Sequence, residues 1–189
     1  MKTREEWLRE AVGLMAPFIH ERTALTVPDG LWVSVGFPVT GARAGARNQR
    51  IGECHYATAD GVPAVFIHPT LDDGARVLDV LLHEALHAAL PVGTGHRRPF
   101  AKAATACGLD GKPTATVASE ALAPVLAGWM DTLGPYPHAK VDTSGRKKQT
   151  TRMLKVACPD DGYTVRMTRK WLDEMGTPSC PCGTVMEEA

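Results

Sequence analysis

Residues 79–87 read Asp79-Val80-Leu81-Leu82-His83-Glu84-Ala85-Leu86-His87, and the rest of the chain is interpreted outward from them. No Pro or Gly interrupts this run, so it is expected to be helical. At about 100° per residue, His83 and His87 stand roughly 40° apart on one helix face, one turn from each other. Two imidazoles so placed reach a single Zn²⁺, and Glu84 lies beside them, within reach of a water the metal holds. The plainer alternative is a core helix that carries two histidines. A third ligand separates the two readings.

His96 is that candidate. It follows Pro91-Val92-Gly93-Thr94-Gly95, a segment that must end the helix and turn the chain. Arg97 to Cys107 then reads as another short helix, which offers His96 back from its start. Three histidines with a fourth position open for water form a catalytic rather than a structural zinc arrangement. The spacing is wider than in H-E-x-x-H-x-x-G-x-x-H, and Glu120, the nearest downstream acid, is expected to be an ordinary first-turn helix residue.

Those segments, His83-Glu84-Ala85-Leu86-His87 and His96-Arg97-Arg98-Pro99-Phe100, resemble the SprT-like zinc metalloproteases, the family that includes the DNA–protein crosslink protease Spartan. The segment from His96 to Phe100 is similar to that family's H-G-P-E-F, with His96 and Phe100 in place, Arg97 for Gly and Arg98-Pro99 for Pro-Glu. The resemblance covers roughly Trp7 to Leu133. It implies an α+β fold with a zincin-like minimal metalloprotease domain: a small sheet of about three strands packed on helices, one helix carrying H-E-x-x-H. It also implies a zinc-dependent endopeptidase acting on DNA-bound proteins, as in DNA–protein crosslink repair, with Glu84 as general base on zinc-held water. DNA, single-stranded or at a junction, is the expected partner besides the protein substrate.

The remaining chain is read around that helix. Thr3 to Arg22 carries Trp7, Leu8, Ala11, Val12, Leu14, Met15, Phe18 and Ile19 at helical spacing, with a kink expected at Pro17. Pro28-Asp29-Gly30 marks a turn, and Leu31–Phe37, Ile51–Tyr56 and Pro63–His68 read as strands. Thr40 to Arg50, with Arg43, Arg47 and Arg50 but no acid, is either a hairpin tip or a phosphate-tracking loop. Ala64-Val65-Phe66-Ile67 is the candidate edge strand for substrate addition. Asp72-Asp73 cap the helix that ends near Leu90. Gly108 to Pro113 breaks the chain, and Val117 to Met130 is expected to form a closing helix with Pro124 as a kink. Cys54, His55, His68 and Cys107 read as structural residues.

The domain is placed at residues 1–133, a Pro/Gly and basic linker at 134–155, and a zinc-ribbon-like module at 156–189. Such a ribbon often follows the SprT-like catalytic domain. Here Cys158-Pro159-Asp160-Asp161 and Cys180-Pro181-Cys182 form two knuckles, with Asp161 where a further cysteine is expected. Cys158, Asp161, Cys180 and Cys182 are thus the candidate ligands of a structural zinc, alongside the catalytic one. Arg166, Arg169, Lys170 and Trp171, with Lys147 and Lys148 of the linker, are the candidate nucleic-acid contacts.

Composition bounds these readings. The 189 residues carry 21 basic and 21 acidic side chains, so nucleic-acid binding must come from local patches rather than a global field. Five cysteines, three of them near the C-terminus, favour metal binding in a reducing cytoplasm over a disulfide framework. Neither an apolar run long enough for a bilayer nor a signal-peptide core is read, so a cytoplasmic protein without membrane contact is expected. The competing class is a non-catalytic, metal-stabilised nucleic-acid-binding adaptor.

Overall fold

The computed structural model describes residues 2–39, 49–56, 58–59, 61–143 and 153–189. The chain divides into two compact units, Met1–Thr143 and Ser144–Ala189, in an α+β arrangement. No helix among the described residues is long and apolar enough to cross a membrane.

The first unit opens with α1 (Arg4–Thr23), fixed at its start by reciprocal hydrogen bonds between Thr3 and Glu6. The helix runs through Pro17 and turns Trp7, Leu8, Ala11, Met15 and Ile19 inward. Three strands follow, β1 (Trp32–Val35), β2 (Gly52–His55) and β3 (Ala64–Ile67), in the order β1-β3-β2. β3 pairs in parallel with β1 and antiparallel with β2. The sheet therefore has β3 at its centre and β2 at an edge. This corrects the assignment of Ala64–Ile67 as the edge strand. Val65 and Ile67 are fully buried, a pattern that suits a strand flanked on both sides.

α2 (Gly74–Ala89) is the central helix. Asp73 caps it by accepting a hydrogen bond from Arg76 N at 2.7 Å. Val77, Leu78, Val80, Leu81, Leu82, Ala85 and Leu86 are buried, while Arg76, Asp79, His83 and His87 share the remaining, polar face of the helix. It stops at Leu90, whose extended backbone is what a residue before proline adopts. α3 (Arg98–Ala106) then begins with Pro99 in its first turn.

The segment after α3 departs from the sequence expectation. Leu109–Lys112 (β4) and Ala115–Ala118 (β5) form an antiparallel hairpin, and α4 (Ala123–Leu133) starts well after Val117. Thr116 and Val117 are β-branched, and pairing with β4 satisfies their backbone. Pro124 falls in the first turn of α4, where its missing N–H is no loss, and so makes no kink. Glu120 is an exposed turn residue outside the helix.

Residues 134–143 belong to the first unit rather than to a free connector. Arg4, buried, donates to the carbonyls of Pro137 and Ala139 at 2.9 Å, Pro69 at 3.2 Å and His138 at 3.3 Å. Trp7 Nε1 donates to Gly134 O at 3.0 Å, and Val141 N to Pro69 O at 3.0 Å. The proline- and glycine-rich stretch supplies carbonyls that one buried guanidinium gathers.

The C-terminal unit holds β6 (Leu154–Ala157), β7 (Thr164–Met167), α5 (Arg169–Met175) and β8 (Glu187–Glu188), with strand order β7-β6-β8. Among its described residues the buried apolar ones are few: Val156, Cys158, Cys180 and Met186.

Candidate metal centres

His83 and His87 leave α2 on one face, and the turn Pro91–Gly95 swings His96 back to meet them. The three Nε2 atoms form a near-equilateral triangle. His83 to His87 is 3.2 Å, His87 to His96 is 3.1 Å and His96 to His83 is 3.3 Å. Tetrahedral zinc with nitrogens at ~2.0–2.1 Å needs edges of about 3.3–3.4 Å. The triangle matches that requirement closely.

The other ring nitrogens of two of these histidines meet hydroxyl groups. His83 Nδ1 lies 2.8 Å from Thr116 Oγ1, and His87 Nδ1 lies 3.1 Å from Tyr56 Oη. In the tautomer that donates Nδ1–H to those hydroxyls, Nε2 of both rings carries a bare lone pair aimed at the triangle's centre. Lone pairs so close repel one another unless a cation lies between them. Three imidazoles so grouped could hold a metal ion.

Phe100, fully buried, packs beneath all three rings. It stacks on His87 at 4.1 Å and 15°, and stands 4.7 Å from His83 and 5.2 Å from His96. Burial pushes the pKa of His83 down to about 3 and that of His87 down to about 4, with neighbouring imidazoles adding to the shift. His96, more exposed, is lowered too, by burial first and then by Arg50. All three are neutral near pH 7, the state in which imidazole binds metal.

Glu84 is 7 % exposed, and burial raises its pKa to about 8; Arg50 opposes the shift and Glu53 adds to it. A cleft of about 740 Å³ exposes the site. Its lining includes β2, Arg50, Tyr56, the hairpin residues Thr114–Thr116, Arg76, Glu84 and the three histidines. A neutral or ionised carboxyl beside three neutral imidazoles in an open cleft can hold and pass a proton.

Three residues that shape this site were not anticipated: Tyr56, Thr116 and Gly52. Thr116 and Tyr56 come from elements distant in sequence and carry no local signal. Gly52, inside a strand, carries one, because glycine there often marks a close backbone approach. His55 bonds Glu53 at 3.1 Å and His68 lies near Thr70 Oγ1 at 2.6 Å, so both serve the sheet.

In the C-terminal unit, Cys158, Asp161, Cys180 and Cys182 also converge, with ligand atoms all within 4.8 Å of one another. Cys158 Sγ to Cys182 Sγ is 3.6 Å, far too long for a disulfide and near the ~3.8 Å edge of a tetrahedral zinc–thiolate site. The Asp161 carboxylate lies 3.3 and 3.5 Å from Cys180 Sγ. Each knuckle closes on a glycine: Gly162 N donates to Cys158 O and Gly183 N to Cys180 O, with φ of +75° and +95°. Both histidine and cysteine–aspartate groups could thus hold a metal.

The candidate nucleic-acid contacts are less uniform. Arg169 is committed to Glu188 through two bonds of 3.1 and 2.5 Å and lies 3.7 Å from Asp173. Its charge serves the unit itself. Lys170 Nζ sits 4.8 Å over the Trp171 ring, which is 49 % exposed, and Arg166 is exposed on β7. Lys147 and Lys148 lie outside the described residues, as do Arg43 and Arg47. No known protein family matches this chain, and neither a curated protein nor a solved structure does.

Proposed function

We propose that the first unit is a zinc-dependent endopeptidase of SprT-like type, acting on proteins bound to DNA. The observation that carries the reading is the triangle of Nε2 atoms at 3.1–3.3 Å with the Glu84 carboxyl in the same cleft. A purely structural site has no use for a buried acid there and closes its fourth position with protein. A metal bound to His83, His87 and His96 supplies Lewis acidity and lowers the pKa of water. Glu84 takes the proton from water as its oxygen bonds to the peptide carbonyl carbon, then gives that proton to the amine as the C–N bond breaks. Burial favours the protonated form of Glu84, which suits the later half of that cycle. Thr116 and Tyr56 hold two imidazoles in their metal-binding tautomers.

The C-terminal unit would hold a further, structural zinc and offer Arg166, Lys170 and Trp171 to nucleic acid, cations for phosphate and one ring for a base. The test is to incubate the zinc-loaded protein with single-stranded DNA and a basic protein, with and without chelator. DNA-stimulated fragments that vanish with chelator and in Glu84→Gln are expected. Metal and DNA binding without fragments would instead identify the non-catalytic adaptor.

A further inference from the structure

Edge strand β2 meets the site at both ends. At Gly52, a Cβ placed on the backbone would lie 2.6 Å from Glu84 Oε1, 2.9 Å from Glu84 Cγ and 2.6 Å from Val80 Cγ1. Ordinary contact is about 3.5–4.0 Å, so the Glu84 side chain rests directly on bare backbone. The two backbones are held, so an added Cβ would have to displace the Glu84 side chain. Gly52 is paired with Ile67 of β3, His68 N donates to Ile51 O at 2.9 Å, and α2 is locked in the core. Just past the other end of the strand, Tyr56 Oη lies within hydrogen-bond distance of His87 Nδ1, at 3.1 Å.

We infer that β2 is a positioning strand: Gly52 sets where the Glu84 carboxyl sits, and Tyr56 sets the orientation of the His87 imidazole. This rests on reading Glu84 as the base and His87 as a metal ligand. Glycine weakens a strand, and a β-branched residue would serve a merely structural edge better. The glycine is explained by what lies beneath it. The Tyr56 hydroxyl lies half-buried at the cleft and finds a metal-facing histidine. One strand thus governs both proton transfer and metal retention, and a shift of β2 would alter both together.

The test compares Gly52→Ala, the double variant Gly52→Ala/Val80→Ala, and Tyr56→Phe with the parent protein. The double variant removes the Val80 contact, so that folding survives and the Glu84 contact alone remains. Gly52→Ala should keep its zinc and its KM, lower kcat by about 100-fold, as for misplaced catalytic groups, and shift the ¹³C resonance of the labelled Glu84 carboxyl. Tyr56→Phe should weaken zinc affinity by ~10–100-fold, measured by chelator competition, with kcat largely restored at saturating zinc. A Gly52→Ala protein, or its double variant, with unchanged kcat and unchanged carboxyl resonance overturns the role of Gly52. Unchanged zinc affinity in Tyr56→Phe overturns the role of Tyr56. If the parent cleaves nothing, the peptidase reading fails, and the resonance and affinity measurements still judge the two positions.

Discussion

The rings of Phe100 and His87 are stacked, 4.1 Å apart and 15° from parallel, so a fully buried phenyl ring fixes the plane of a candidate metal ligand. The same ring also contacts His83 and His96. Phe100→Ala removes that platform and leaves a cavity under all three imidazoles. The expected cost is about 3–5 kcal/mol of folding stability, with a marked loss of zinc affinity. Phe100→Leu should recover most of the stability and less of the affinity, because it fills the space without a flat surface. Denaturant melts combined with chelator competition check both.

Thr116 reaches His83 from a hairpin far along the chain. Thr116→Val keeps the shape and removes the acceptor for Nδ1–H. Zinc affinity should fall by ~10-fold or more, while Thr116→Ser stays close to the parent. Equal affinities for the valine and serine variants would show that the hydroxyl does nothing for the metal.

Stability of the metal-free protein should depend on pH in two opposed ways. His83 and His87 have folded pKa values depressed to about 3 and about 4, from an ordinary 6.5. The unfolded chain therefore binds protons that the folded chain refuses, and stability falls as pH drops below about 6.5 toward 3–4. Glu84 has a folded pKa raised to about 8 from 4.5, so its contribution is full below 4.5 and is lost as pH rises toward 8. Melting temperatures in chelator should peak between those limbs, and Glu84→Gln should flatten the alkaline one. An alkaline limb that persists in that variant would show that Glu84 is not its source.

The C-terminal unit should depend on its metal for folding. Among its described residues only four buried ones, with Val165, Met167 and Leu172 packed against them, make up the core, too few to hold its short strands without a crosslink. Chelation, or Asp161→Ala, should collapse the NMR dispersion of β6, β7 and β8 and leave that of the first unit intact. Asp161→Cys should restore Co²⁺ binding with stronger thiolate absorption, since it completes a four-cysteine set. Retention of dispersed strand signals in metal-free protein would refute this dependence.

Residue order alone was enough for the features that follow from short-range periodicity. The spacing of His83 and His87 on a helix puts their side chains on one face whatever else the chain does. Proline and glycine after Leu90 force the turn that returns His96, and the knuckles around Cys158 and Cys180 are equally local. Asp161, the unusual member of its set, lies where the Cys-x-x-Cys register places it. Features that need partners distant in the chain were settled only by the packed fold. Strand order made β2 rather than β3 the edge, because pairing on both sides of β3 is set by register and not by composition. The hairpin of β4 and β5 prevailed over the helical reading of Val117 because each strand needs the other's backbone, which no window on one segment contains. The hydroxyls of Tyr56 and Thr116 and the missing side chain of Gly52 act on residues 31, 33 and 32 positions away. Their contribution exists only once the core has brought those segments together.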